Sequence, residues 1–350
     1  MGIVCRPITP IPTLIYSHTI KVVVKYIQNL NKKFMDLQQF ISPATGAPLI
    51  FKDGHLYSEE GEIFSLHNSI PRFNNSDNYA EAFGLQWNTF KDTLLDSYSK
   101  TNYAESRLET ALGIPLTLIK GMKVIEAGSG SGMFTEILLK YGAKVYSFDY
   151  SNAVEANFLN NMPDENLTLF QADIRTIPFK DNFFDIAICL GVLQHTPDTA
   201  ESMTELTRIL RPGGRLVVDH YKHHIGHFTS LYLIWWSVIK RLNPSLQLKT
   251  TNFLTRLFFP IHWFFRDYPL IQFVLRRISP IAFYYSTLPY LNKEQQYQWS
   301  LCDTHDKNTD QYKRHLTTKQ FDKLISTNFD FHSYDIHERG NGLECIAIKQ

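Results

Sequence analysis

The residues of this chain best suited to bind a charged small molecule lie in one short glycine-rich segment. The apolar residues Val124 and Ile125 lead into Glu126, which is followed at alternating positions by Gly128, Gly130 and Gly132. A glycine turn between a strand and a helix lets backbone N–H groups approach a ligand closely. The carboxylate of Glu126 suits a ligand with an ammonium group, whereas it would repel a pyrophosphate.

The spacing of the glycines separates two classes of nucleotide-binding fold. Dinucleotide-binding folds place the pattern GxGxxG at this point. Here the pattern is GxGxG, and Met133 stands where the third glycine of the dinucleotide motif would be. A NAD-dependent oxidoreductase therefore stays an alternative, but Glu126 and the glycine spacing disfavour it.

Further polar residues follow the next three predicted strands. Asp149 ends the second strand of the region, Asp173 follows the third, and His195 follows the fourth. Ligands of open parallel sheets bind at the carboxyl ends of the strands. We therefore expect these side chains to share one site with Glu126.

In order and spacing, these motifs resemble those of the class I S-adenosylmethionine-dependent methyltransferases, of the type 11-like kind. The resembling segments are Glu126–Gly132, Ser147–Ser151, Gln171–Ile174, Phe184–Asp198 and Leu210–Gly214. The resemblance is dense over residues 120–220 and loose over the C-terminal hairpin.

The resemblance implies S-adenosylmethionine as the cofactor, with no metal. Asp149 would accept from the two ribose hydroxyls, and Asp173 from the exocyclic amine of adenine. The implied cofactor-binding residues are Glu126, Gly128, Ser129, Gly130, Gly132, Asp149, Tyr150, Asp173, Ile174 and Leu190. A non-catalytic cofactor-binding or scaffold protein is a further alternative, against which the intact Glu126, Asp149 and Asp173 argue.

Two histidines are candidates for a catalytic base. Methyl transfer to a hydroxyl requires loss of a proton, and histidine titrates in the right range. In the family, the position of His195 lies at the methyl end of the cofactor. An alternative is that His195 packs beneath the acceptor pocket without a proton role. His220, which ends the fifth strand, is the second candidate.

The elements that position these residues alternate between strand and helix. Such an alternation is typical of βαβ units with a parallel sheet. We predict an α/β fold with a doubly wound, mostly parallel seven-stranded sheet and an antiparallel C-terminal hairpin. Residues 120–350 form the predicted methyltransferase domain, with a helical insertion at 220–316, and helices within 76–119 cap the cofactor site.

The N-terminal quarter of the chain carries no recognisable catalytic motif. Residues 1–34 are expected to form a poorly ordered extension. Residues 35–75 resemble the zinc-ribbon segments that precede some methyltransferases, but Ser42 and Thr45 replace the first cysteine pair and the second pair is missing. Because thiolates are absent, we predict a hairpin without metal.

Composition excludes several classes of protein. A net charge of +1 gives no support for nucleic-acid binding. The four cysteines are far apart and form no CxxC pair, which is typical of a reducing compartment. No apolar run reaches the roughly 18 residues of a membrane-spanning helix. We therefore expect a cytoplasmic protein.

The stretch 220–292 has an unusual composition. It contains eight Lys and Arg residues against a single acidic residue, Asp267, and it is dense in aromatic residues. Such a segment suits peripheral contact with an anionic membrane or a lid over a large apolar acceptor. An ordinary helical cap is the alternative. The acceptor class left open is a small molecule, a lipid or a glycan, with an oxygen nucleophile expected.

Overall fold

The computed structural model describes residues 37–74, 79–223 and 230–350. The predicted extension at 1–34 lies outside the described residues. Four short strands come first: β1 (Ile50–Lys52), β2 (His55–Tyr57), β3 (Ile63–His67) and β4 (Ile70–Pro71). The strands of the main sheet are β5 (Lys123–Ala127), β6 (Lys144–Asp149), β7 (Leu167–Gln171), β8 (Phe184–Cys189), β9 (Leu210–Tyr221), β10 (Phe331–His337) and β11 (Gly342–Lys349).

The helices fall into three groups along the chain. Before the main sheet come α1 (Glu81–Thr89), α2 (Asp96–Ser99) and α3 (Tyr103–Leu112). Between its strands lie α4 (Met133–Lys140), α5 (Val154–Asn161) and α6 (Thr199–Ile209). After β9 come α7 (Tyr232–Ile239), α8 (Pro244–Phe264), α9 (Pro269–Ile278), α10 (Lys293–Thr309) and α11 (Thr318–Asn328).

The main sheet has the strand order β10-β11-β9-β8-β5-β6-β7. Strands β5 to β9 pair in parallel, whereas β10 and β11 are antiparallel. The predicted fold class is therefore confirmed. The chain winds outward from β5 through β6 and β7, and then returns to β8 on the other side of β5. This reversal places a crevice at the carboxyl ends of β5 and β8, where ligands of such sheets bind.

Apolar side chains cover both faces of the sheet, as a doubly wound fold requires. On one face α6 and α11 pack through residues such as Leu206 and Phe321. On the other face α3, α4 and α5 pack through residues such as Leu108, Ile137 and Val154. The central strands are buried from both sides, which holds their carboxyl ends in fixed positions.

The N-terminal strands form a small antiparallel sheet in the order β1-β2-β3-β4. Ser42 Oγ accepts from the backbone N–H of Thr45 at 3.1 Å and also contacts Glu62. Hydrogen bonds thus occupy the turn in which the resemblance would place the first cysteine pair. Within the described residues, no group of three or more His, Cys, Asp or Glu could hold a metal ion.

The insertion forms a helical layer in which α10 packs against α8 and α7. Helix α10 begins with a capping box, in which Asn292 and Gln295 bond each other's backbone N–H groups. Helix α9 is different, because Gln272 is its buried residue while Leu270 and Val274 are exposed. No helix among the described residues combines the length and the apolar character that crossing a bilayer requires.

Candidate cofactor and acceptor site

A cavity of about 970 Å³ lies at the carboxyl ends of the parallel strands. Gly128, Tyr150, Leu190 and Tyr221 line it, and each lies at the carboxyl end of a strand or just beyond it. Side chains of α1, α3 and α10 also line the cavity, including Trp87, Arg107 and Asp303. The cavity therefore lies between the sheet, the helices before it and the insertion.

The glycine turn forms one wall of this cavity. Gly128 and Gly130 have φ values of 75° and 52°, where a side chain is disfavoured. A Cβ at Gly130 would also lie 2.9 Å from the Trp87 ring. Ser129 and Ser131 line the cavity, and their buried hydroxyls have no hydrogen-bond partner among the residues that the structure describes. Unpartnered buried hydroxyls beside a glycine turn fit a polar ligand such as S-adenosylmethionine.

Glu126 lines the cavity from the end of β5 and is fixed by a buried polar network. Its Oε2 accepts from Ser147 Oγ at 2.8 Å and from the Thr135 hydroxyl. Asn157 donates to both hydroxyls, at 3.0 Å and 2.9 Å. Burial raises the pKa of Glu126 to about 7 despite these hydrogen bonds. A bound ammonium group would favour the ionised carboxylate and so lower this pKa.

Asp149 lines the same cavity from the end of β6. It accepts from the backbone N–H of Gly130 at 3.0 Å, and from the N–H and hydroxyl of Ser151 at 2.8 Å and 2.7 Å. Burial raises its pKa, and these hydrogen bonds oppose the rise. A carboxylate has about four acceptor positions, so Asp149 retains capacity for a ribose hydroxyl.

Two of the expected cofactor residues lie elsewhere. The Asp173 carboxylate pairs with Arg175, whose Nη2 donates at 2.7 Å and whose Nε donates at 3.1 Å, and it is not part of the cavity lining. Gly132 also lies outside the lining, and a Cβ there would meet the side chains of Asn157 and Asn161. Gly132 thus allows close packing of α5, and the adenine role of Asp173 stays a prediction.

The remaining residues that were expected to bind the cofactor line the cavity, together with aromatic residues of the segment before the main sheet. Ile174, Leu190 and Tyr150 all contribute, and the Tyr150 ring lies 4.9 Å from the ring of Tyr79. Phe83 on α1 also lines the cavity. The sequence signal that could have identified these lining residues is the helical spacing of the aromatic side chains.

His195 lines the cavity from a 3₁₀ turn after β8. Its Nδ1 lies 3.1 Å from Asp310 Oδ2 and 3.1 Å from the Tyr312 carbonyl oxygen. Burial lowers the pKa of His195, but the hydrogen bond and charge of Asp310 and the charge of Asp306 together outweigh burial, so the net shift is upward. The Asp310 partnership was not predicted, since it joins positions separated by more than 100 residues and no local pattern marks it.

His220 does not lie in the cavity lining. Its ring packs 5.9 Å from that of Phe321, and its Nδ1 lies 3.2 Å from the Tyr221 carbonyl oxygen. Burial lowers the pKa of His220 to about 4. Side chains alternate along a strand, so Tyr221 faces the cavity while His220 faces α11. The structure thus argues against His220 as the base.

Asp219 connects the elements around the acceptor end of the cavity. It is fully buried and accepts from Arg107 at 3.0 Å, from the Gly191 N–H at 2.6 Å and from Asn341 at 2.9 Å. These bonds tie α3, the loop after β8 and the β10–β11 turn to β9. The network therefore fixes the loop that leads to His195.

The insertion supplies polar residues to the acceptor end. Tyr284, Asp303 and Asp306 line the cavity. Burial raises the pKa of both aspartates, and that of Asp303 to about 7. Their placement was not predicted, because α10 comes from a segment in which the sequence carries no motif.

Comparison with known proteins identifies the central part of the chain. Residues 125–218 match the family described as a methyltransferase domain. A demethylmenaquinone methyltransferase of Corynebacterium kroppenstedtii is 37% identical over 113 residues, which cover 32% of this chain and 48% of that protein. A ubiquinone biosynthesis O-methyltransferase of Methylococcus capsulatus is 29% identical over 137 residues, covering 38% and 57%. The chain thus spans about half the length of these relatives.

A solved structure is also similar over most of the chain. A putative S-adenosylmethionine-dependent methyltransferase of Methanococcus maripaludis aligns with 79% of this chain and 96% of its own, with 17% identity and a TM-score of 0.43. The sequence match thus identifies residues 125–218, which run from β5 into β9, as similar to a methyltransferase domain.

Proposed function

We propose that the chain transfers a methyl group from S-adenosylmethionine to a hydroxyl group of a small-molecule, lipid or glycan acceptor. The observation that carries this proposal is one continuous cavity. It joins Glu126 and Asp149 at one end to His195, held by Asp310, at the other. The name of one relative, an O-methyltransferase of ubiquinone biosynthesis, supports an oxygen nucleophile.

The histidine has the geometry of a general base. S-adenosylmethionine supplies an electrophilic methyl group when it is bound. Because Nδ1 of His195 is engaged by Asp310 and the Tyr312 carbonyl, Nε2 is the nitrogen that takes the proton of the acceptor hydroxyl. Asp310 then stabilises the imidazolium that this proton transfer forms. Positioning of this kind contributes a large share of catalysis.

Direct assays distinguish the proposed function from two alternatives. A scaffold protein would bind the cofactor without turnover, and an oxidoreductase would bind NAD. The test is transfer of a labelled methyl group to lipid, glycan and small-molecule fractions of cells. We expect one fraction to be labelled by the wild type and not by His195→Ala. Absence of labelling by a protein that binds S-adenosylhomocysteine would favour the scaffold.

We also propose peripheral contact between the insertion and an anionic membrane. On α9, Leu270, Val274 and Ile278 are spaced by four residues and are 84%, 56% and 46% exposed. Arg276 and Arg277 lie in the last turn of the same helix. An exposed apolar stripe beside cations has the chemistry of an interfacial helix. This contact would place a cytoplasmic protein at the inner face of a membrane.

Co-sedimentation with liposomes of varied anionic lipid content tests this contact. Burying one leucine contributes about 1.5–3 kcal/mol, so Leu270→Ser should weaken binding roughly tenfold or more. Leu159→Ser is the matched control, because Leu159 is 62% exposed on α5 of the methyltransferase domain. If the wild-type protein does not bind anionic vesicles at low salt, or if the two variants have equal effects, the insertion is better explained as an ordinary helical cap.

A further inference from the structure

A second cavity of about 860 Å³ adjoins the first one on the side of the insertion. The two cavities share several lining residues, among them Tyr221, Tyr284, Asp303 and Asp306. A molecule could therefore extend from the His195 region into the second cavity. The aspartates lie where the two cavities join.

The second cavity is lined by a concentration of cations. These residues are Lys222, Arg266, Arg276, Arg277, Lys307 and Lys313. Carboxylates outside the lining neutralise three of them. Lys222 pairs with Glu338 at 2.5 Å, Arg266 with Asp267 at 3.4 Å, and Lys313 with Asp310 at 3.0 Å.

Arg276 and Lys307 are not neutralised in this way. Arg276 Nη2 donates to Ser286 Oγ at 2.6 Å, and Lys307 Nζ donates to the Ile281 carbonyl at 3.4 Å. Neither cation has a carboxylate within ion-pair distance in the described part of the chain. Burial, together with the charges of Lys313 and Arg276, lowers the pKa of Lys307 to about 8. Mutual repulsion of cations around a cavity is relieved by a bound anion.

We propose that the second cavity binds a phosphoryl group of the methyl acceptor, through Arg276 and Lys307. This inference rests on the proposed function, since it places the acceptor hydroxyl near His195 and the phosphoryl group at the far end. Guanidinium and ammonium groups are the side chains that bind phosphate oxygens best. Asp303 and Asp306, at the junction, can accept from further hydroxyls of the same acceptor. The substrate class is a phosphorylated hydroxyl compound, either free or attached to an alkyl chain.

Calorimetry with two probes tests the site in the full chain. Inorganic phosphate and hexyl phosphate are titrated separately, and tighter binding of hexyl phosphate would identify a lipid-like source. Loss of one charge-assisted contact should weaken binding roughly tenfold or more in Lys307→Gln and in Arg276→Gln. Arg256→Gln, on the exposed side of α8 and outside both cavities, should leave binding unchanged.

Chemical labelling of the wild type provides a test without variants. Lys307 should react with an amine-specific acetylating reagent at pH 8, and phosphate should slow that reaction. Lys249, exposed on α8, is the reference lysine whose rate phosphate should not change. The proposal is overturned if neither probe binds, if Lys307→Gln and Arg256→Gln behave alike, or if phosphate does not protect Lys307.

Titration of the same variants with S-adenosylhomocysteine distinguishes a failure of this inference from a failure of the proposed function. The affinity for S-adenosylhomocysteine should be unchanged in each variant, because the second cavity lies outside the cofactor end. Normal S-adenosylhomocysteine binding without phosphate binding overturns the inference alone. Phosphate binding without S-adenosylhomocysteine binding would overturn the proposed function and leave an anion site.

Discussion

Helix α4 in the cofactor half of the sheet and helix α9 in the insertion differ in the kind of side chain that they bury. In the cofactor half, α4 buries Phe134 and Ile137, as its apolar pattern predicts. In the insertion, α9 buries Gln272 and exposes Leu270. Gln272 is held by hydrogen bonds with His262, at 2.9 Å and 2.7 Å. The contrast shows that α4 directs its apolar side chains into the core, whereas α9 leaves several of its apolar side chains exposed.

The chemistry is divided between the two regions in the same way. The cofactor half supplies carboxylates and a glycine turn at the strand ends, in positions that the strand order fixes. The insertion supplies Asp310, which orients His195, and the cations of the second cavity. We therefore expect variants of the cofactor half to change cofactor affinity, and variants of the insertion to change turnover and acceptor binding.

Replacement of His195 should give the largest effect. Loss of a general base lowers kcat by roughly 10²–10⁴-fold, so His195→Ala should lose nearly all methyl transfer while it still binds S-adenosylhomocysteine. His220→Gln is the matched variant and should change kcat by less than about threefold, because it cannot reach the acceptor. Similar losses of kcat in both would contradict the placement of the base.

Two carboxylates at strand ends allow a sharper test of the cofactor end. Asp149→Asn should weaken S-adenosylhomocysteine binding roughly tenfold to a hundredfold, since it removes charge-assisted hydrogen bonds to ribose. Asp173→Asn should weaken it by no more than about threefold, because that carboxylate is paired with Arg175. Calorimetry gives both affinities. The reverse order would restore the adenine role that the resemblance implies for Asp173.

The pH profile of turnover should reveal the link between the insertion and the base. His195 must be neutral to accept a proton, so kcat rises with pH through its pKa. Burial lowers that pKa, whereas Asp310, with a smaller contribution from Asp306, raises it, and the net shift is upward. In Asp310→Asn the acid limb of the kcat profile should therefore move to lower pH. An unmoved limb, measured with the same acceptor, would mean that the titrating group is not His195.

Metal removal should have the smallest effect. Ser42 and Thr45 form a hydrogen-bonded turn where a zinc ribbon would have thiolates. Protein purified without a histidine tag should contain well under one zinc per chain, and a chelator should leave its Tm unchanged. Stoichiometric zinc that survives dialysis against chelator would show that this interpretation of the hairpin is wrong.

The sequence predicted those parts of the molecule whose functional residues belong to a local sequence pattern. Strand β6 ends at Asp149 and Asp173 follows β7, as predicted, because an apolar run followed by an acidic residue is a local signal. The partnership of His195 with Asp310, and the pairing of Asp173 with Arg175, depend on side-chain positions that no spacing encodes. The inverted burial on α9 was also hidden, since composition alone does not say which face of a helix packs.

Direct titration of the wild-type protein with S-adenosylhomocysteine, with NAD in a parallel cell, tests the central claim. We expect one S-adenosylhomocysteine per chain and no binding of NAD. Affinity should be higher at pH 8 than at pH 6, because Glu126 must ionise beside the ligand ammonium and burial raises its pKa to about 7. Binding of NAD in its place, or no binding of S-adenosylhomocysteine at either pH, would contradict the account.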